Sequence, residues 1–211
     1  MSYIFIVLAL ALAWPANALA QNKKGMELLE KLNHGWEPQL SQNAYFPPLM
    51  KEKLLWILTE NRARPTKLVI GARDNFTAPI DVLMGSCFQN GVALIEVSLE
   101  SLLYFEKRLG YQGLKNLFLL ALVHEAIHLE KKRGCEDKYS PESMLEEEIR
   151  TWHKWILEVV RPVRAKGYQV NDGLVEADEV LRICANNPDC LLFRRNILGR
   201  SSVGQRKQVP K

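Results

Sequence analysis

One stretch of the chain shows neither helical nor strand alternation. Leu117-Phe118-Leu119-Leu120-Ala121-Leu122-Val123 is apolar almost all round, inside a helical segment from Leu114 to Arg133. That pattern predicts a central helix buried on every side. Upstream, Met26 to Leu32 predicts a short helix after a flexible start at Gln21 to Gly25. Gly35 to Pro48 reads as a loop whose Trp36, Tyr45 and Phe46 pack on the core. Leu49 to Asn61 sets Leu54, Leu55, Trp56, Ile57 and Leu58 against Lys51, Glu52, Lys53 and Glu60, an amphipathic helix stopped by Pro65. Lys67 to Ala72 predicts a strand, Arg73 to Ala78 a turn, and Ile80 to Cys87 a second strand interrupted by Gly85. Gln89-Asn90-Gly91 is a tight-turn signal that feeds the most strand-like run, Val92 to Val97. Ser98 is placed to cap a helix from Leu99 to Leu109, and Gly110 to Gly113 break the chain before the central helix.

Beyond that helix, Gly134 is positioned as its C-cap, and Cys135 to Ser140 read as a polar loop. Ser140-Pro141-Glu142 opens the next helix with an N-cap serine, proline at the first position and an acidic first turn. It runs to about Val160, with Leu145, Ile149, Trp152, Ile156 and Val159 as its apolar face. Val163 to Tyr168 follows Arg161-Pro162, then a helix from Gly173 to Ala185 capped by Asp172, then a last helical piece from Leu191 to Leu198. The order of elements predicts an α+β, mostly helical fold, its small β-sheet packed on the central helix and on the helix that follows.

Composition narrows this to one domain. The chain has 211 residues, 47% of them hydrophobic, enough for a sizeable core. Residues 1–20 stand apart: they carry no charge, Tyr3 to Ala13 is an apolar run, Trp14-Pro15 break it, and Ala18-Leu19-Ala20 offers an A-x-A cleavage site. This reads as a Sec signal peptide without the usual basic n-region, too short to span a membrane, so a secreted or periplasmic protein without stable membrane insertion is expected. The single domain then covers 21–198. The net charge of +4 leans on Arg194, Arg195, Arg200, Arg206, Lys207 and Lys211, and residues 199–211 are expected to be a disordered basic tail. A charge this modest gives no reason to expect nucleic acid as a partner. Four cysteines behind a signal peptide suggest disulfides, with Cys184 to Cys190 across a short loop and Cys87 to Cys135 as the remaining pair. Asn75-Phe76-Thr77 is a glycosylation sequon, relevant only in a eukaryotic secretory pathway.

The chemistry concentrates at the end of the apolar run, where His124-Glu125-Ala126-Ile127-His128 reads H-E-x-x-H. Residues four apart lie one helical turn above each other, so the two imidazoles share a face and can hold one metal ion. Glu125 lies beside them, where a carboxylate can take a proton from a metal-bound water. A catalytic zinc needs a third protein ligand, and Glu146, Glu147 and Glu148 lie on the next helix. At about 100° per residue, Glu148 falls about 60° from Leu145 on the apolar side, while Glu146 and Glu147 point about 100° and 200° away. Glu148 is therefore the preferred ligand, with Glu147 its main rival. His153, Tyr139 and Arg150 are the candidate oxyanion donors, none of them singled out, and His34 is isolated.

His124-Glu125-x-x-His128 with a glutamate at Glu148 resembles the gluzincin-type zinc metallopeptidases, over roughly residues 67 to 160. The resemblance implies one zinc held by His124, His128 and Glu148, with Glu125 as general base for peptide-bond hydrolysis on a peptide or protein substrate. It also implies that Val92 to Val97 is the edge strand that aligns an extended substrate. Many such enzymes place an acid four residues after the ligand glutamate to orient a ligand histidine. Here that place is Trp152, or Thr151 if Glu147 is the ligand, so the support for the histidines must be built differently. The alternative reading is a catalytically inactive, zinc-binding or regulatory protein on a zincin fold in the cell envelope.

Overall fold

The computed structural model describes residues 21–37, 40, 46–63, 67–72, 83–135 and 140–201. The expected signal peptide, Tyr45, Pro65, the turn at Arg73 to Ala78 with its sequon, Tyr139 and residues 202–211 lie outside them. Within them the protein is mostly helical, with one three-stranded sheet. The helices are α1 (residues 21–34), α2 (Pro48–Arg62), α3 (Leu99–Leu129), α4 (Pro141–Trp155), α5 (Arg161–Ala165), α6 (Asp172–Ile183) and α7 (Leu191–Ser201). The strands are β1 (Leu68–Ala72), β2 (Met84–Gln89) and β3 (Val92–Val97).

The sheet order is β1-β3-β2. The turn at Asn90-Gly91, both at positive φ, folds β2 antiparallel onto β3, and β1 lies parallel on the other side. Val92 to Val97 is therefore the central strand and not an edge, which corrects the expectation above. The second strand runs from Met84 to Gln89, residues 80–82 lying outside the described residues, and Gly85 does not interrupt it but pairs with Glu96. Ala93, Ile95 and Val97 alternate into the core.

Helix α3 is the spine. From Leu114 to Leu129 it is buried nearly all round, as the apolar run predicts. Gly110 (φ 70) makes the break before this segment by itself, and the helix resumes after it. The start of α3 carries α1: a Cβ on Gly25 would stand 2.9 Å from Leu99 Cβ, so glycine permits the close crossing. That docking extends α1 through residues expected to be flexible, and Leu28, Leu29 and Leu32 are buried behind it.

Helix α3 ends at Leu129, not Arg133, and Gly134 is not its cap. Glu130 is the C-cap and Lys132 takes the left-handed conformation (φ 51). The sheet is the physical reason. Phe88 N–H donates to the Arg133 carbonyl at 2.6 Å, Cys135 N–H donates to the Phe88 carbonyl at 2.8 Å, and Cys87 is joined to Cys135. The chain leaves the helix because β2 captures it in extended form.

Helix α4 opens as predicted, with the Ser140 side chain accepting from Ser143 N–H at 3.2 Å. It passes through a π-helical segment, Ile156–Val160, straight into α5, where the sequence suggests a stop. Arg161 N–H bonds back to the Ile156 carbonyl, five residues away, and this wider turn accommodates Pro162, which has no N–H to give. Helix α6 starts one residue early, capped by Asn171 rather than Asp172, with Asn171 Oδ1 accepting from Leu174 N–H at 2.9 Å. Helix α7 carries on through Gly199 to Ser201, residues expected in the tail.

Two hydrophobic clusters meet at α4. The larger surrounds α3; the smaller joins Ile149 and Ile156 to Ala177, Leu181, Phe193 and Ile197. The apolar stripe of α4 thus faces α6 and α7, and a second face turns toward α3.

Both expected disulfides are present, Cys87–Cys135 and Cys184–Cys190, spanning 48 and 6 residues. The loop-entropy relation gives about 4 kcal/mol for the longer and about 2 kcal/mol for the shorter. Urea unfolding of Cys87→Ser/Cys135→Ser should therefore show the larger loss of stability and Cys184→Ser/Cys190→Ser the smaller; the reverse order would contradict the architecture.

Candidate metal centre

The last turns of α3 present His124 and Glu125 buried and His128 half-buried. His124 Nε2 and His128 Nε2 approach to 3.1 Å. Glu148 reaches them from α4, its Oε2 3.0 Å from His128 Nε2 and its Oε1 3.5 Å from His124 Nε2. Among the described residues, His124, His128 and Glu148 form a group able to hold a metal ion. One ligand atom from each lies within 4.8 Å of the others, near enough to share one ion. Two imidazole nitrogens and one carboxylate, on two helices, fit a divalent transition metal.

The adjacent glutamates have separate destinations. Glu146 pairs with Arg194 on α7. Glu147, which the helical wheel turns outward, is buried: its Oε1 lies 3.2 Å from His128 Nδ1 and its Oε2 pairs with Arg133. The wheel assumed that the apolar stripe faces α3. Instead Glu147, Glu148, Thr151 and Trp155 share the face toward α3, roughly 125° from the stripe at about 100° per residue. Glu147 stands at the far nitrogen of His128 and outside the metal-holding group.

Glu125 points elsewhere. Its Oε2 accepts from Ser86 Oγ at 2.7 Å, and the same hydroxyl oxygen lies 3.2 Å from the Glu125 carbonyl oxygen, so β2 fixes this carboxylate. Trp152 Nε1 donates to Glu148 Oε1 at 2.7 Å. The rings of Trp152 and Trp155 stand edge-on to His124 at 5.6 and 4.7 Å between centroids, while His124 Nδ1 is buried without a hydrogen-bond partner among the described residues.

A cavity of about 590 Å³ opens on His124, Glu125 and Glu148. Met84 of β2, Leu117 and Ala121 of α3, Trp152 and Trp155 of α4, and Leu174 of α6 line it. The oxyanion candidates fare differently. His153 meets the Asn186 carbonyl at 2.6 Å and Arg150 pairs with Asp189 at 2.9 Å, both directed toward the C-terminal helices; Tyr139 lies outside the described residues. Nothing in the sequence marks Ser86 or Arg133 as site residues. Trp152 carried a usable signal, since it sits one turn after Glu148.

No family model, curated protein or solved structure matches this chain.

Without metal, burial acts to lower the pKa of His128, but hydrogen bonds to Glu147 and Glu148 and the charges of Glu148 and Glu125 outweigh it, raising it from 6.5 to about 10. Burial would likewise raise Glu148, yet hydrogen bonds and charge from His124 and His128 hold its carboxyl well below 4.5. In the metal-free protein a proton on His128 thus supplies a positive charge facing Glu147 and Glu148. A group with a raised folded pKa contributes stability that is complete below its unfolded value and lost as pH rises through the folded one; a depressed carboxyl does the opposite. Metal-free protein should keep its thermal midpoint between about pH 4.5 and 6.5 and lose stability toward pH 10 and toward acid. His128→Ala should flatten the alkaline limb; an unchanged slope in that variant would refute the assignment.

Proposed function

We propose that this protein is a metal-dependent peptidase, with His124, His128 and Glu148 as ligands to zinc and Glu125 as general base. The observation that carries the reading is the separation of two carboxylate roles at one site. Glu148 joins the imidazoles, while Glu125 is held apart by Ser86 at the wall of the same cavity. A carboxylate serving only to complete a polar cluster has no need of such a division. Zinc suits the mixed nitrogen and oxygen donors, and three protein ligands leave a position open for chemistry.

Bound zinc supplies Lewis acidity, lowering the pKa of a water and polarising a carbonyl. The chain's own residues do the rest. Glu125 accepts the proton of the attacking water and passes it to the leaving amine. The Ser86 hydroxyl keeps its carboxylate in one orientation. Trp152 holds Glu148, and with Trp155 it excludes water from one side of the site.

An extended peptide fits the free edge of β2. Along a strand the backbone groups alternate sides, so Met84 and Ser86 turn their N–H and C=O the same way as Phe88. The segment after α3 occupies that side at Phe88, and no described strand pairs with Met84 or Ser86 there. Met84 borders the cavity. Secretion fits the two disulfides, since such bonds persist in oxidising compartments. No described helix is long and apolar enough to cross a membrane.

Purified protein should contain one zinc per chain, and His128→Ala none. With metal bound, Glu125→Gln should keep the zinc and lose peptide cleavage by about 10²–10⁴-fold. Cleavage of a peptide mixture by Glu125→Gln at the wild-type rate would sink the peptidase reading. Zinc without cleavage by wild type would leave a metal-binding protein in its place.

A further inference from the structure

We propose that Glu147 and Arg133 form a clamp that positions His128, holding its proton on Nδ1 and turning Nε2 toward His124 and Glu148. The proposal rests on the metal reading above and adds residues that the H-E-x-x-H pattern does not contain. Glu147 and Glu148 are consecutive, yet they meet opposite nitrogens of one ring: Glu148 Oε2 is 3.0 Å from Nε2 and Glu147 Oε1 is 3.2 Å from Nδ1. An imidazole held at both nitrogens has one tautomer available for donating Nε2 to a metal, with Nδ1–H given to the carboxylate.

Glu147 can play this part only if its own charge is balanced, because its side chain is 8% exposed. Arg133 provides the balance by pairing with Glu147 Oε2. Arg133 is in turn fixed through its backbone. Its carbonyl accepts from Phe88 N–H, and two residues later Cys135 is hydrogen-bonded to Phe88 and disulfide-bonded to Cys87. The early end of α3 therefore has a purpose at the site. By leaving the helix at Leu129, the chain joins the sheet and carries Arg133 to the outer side of His128. Thr151 Oγ1, 3.4 Å from Nδ1, is a weaker second contact.

The test is zinc affinity by chelator competition for wild type, Glu147→Ala, Glu147→Gln, Arg133→Met and the double variant Arg133→Met/Glu147→Gln. Long-range ¹H–¹⁵N spectra of His128 in the zinc-loaded proteins accompany it. Glu147→Ala should weaken zinc about 10–100-fold while the stoichiometry stays at one, the cost typical of losing a carboxylate behind a ligand histidine. Glu147→Gln keeps an acceptor oxygen, so it should retain the Nδ1–H tautomer and recover part of the affinity, which a merely structural role would not require. The double variant should lose less than the two single losses combined, because both act through one contact. Wild-type affinity together with an unchanged tautomer in Glu147→Ala would overturn the clamp while leaving the metal site standing. If Glu147→Ala does not fold, the isosteric Glu147→Gln and Arg133→Met carry the same comparison, and wild-type affinity in both overturns it. Absence of zinc from wild type itself would remove the metal reading and the clamp with it.

Discussion

A helix buried on every side cannot carry polar groups unless each finds a partner inside the protein. Helix α3 is such a helix, and it buries His124 and Glu125. Much of the surrounding architecture answers that constraint. Strand β2 delivers Ser86 to Glu125, and α4 delivers Glu148 to the two imidazoles. The segment after α3 bends back to the sheet and brings Arg133 to Glu147. Among the described residues His124 Nδ1 has no hydrogen-bond partner and stands against tryptophan rings. The two histidines therefore have unlike settings: His128 is gripped by charge and His124 by aromatic packing.

The three consecutive glutamates show how a helix shared by two cores divides its charge. Glu146 turns to Arg194 on α7, Glu147 to Arg133, and Glu148 to the histidines. The sharing follows from the amphipathic stripe of Leu145, Ile149 and Ile156, which is spent on α6 and α7. What remains for α3 is a polar and aromatic face, and a polar face is what a buried pair of imidazoles requires.

The parts of this arrangement that were legible in the sequence are those encoded within a few residues. The apolar run announced α3, the strand-like run Val92–Val97 announced β3, and Ser140-Pro141 announced α4. The pairing of His124 with His128 is a property of helical spacing. The rest depends on contacts between distant segments. That Val92–Val97 is central follows from β1 adding on its far side. That α3 stops at Leu129 follows from Phe88, some forty positions earlier. Glu148 was selected by a wheel whose premise was mistaken, since the apolar stripe faces the other core. Both glutamates lie on the α3 face, Glu148 at the side nearer the stripe and Glu147 at the side away from it, so the same premise reaches the first and misplaces the second. Ser86 and Arg133 carry no local mark of their roles.

The adjacency of Glu147 and Glu148 has a consequence for how this sequence can change over time. Because each residue advances the helix by about 100°, inserting or deleting one position between Glu148 and Ile156 would turn both carboxylates together against the stripe that docks the helix on the second core. Side-chain replacements along the outer surface of α4 leave that phase untouched. The interval from Glu147 to Ile156 should thus behave as a fixed ruler across descendants of this chain, open to spelling changes and closed to changes in length.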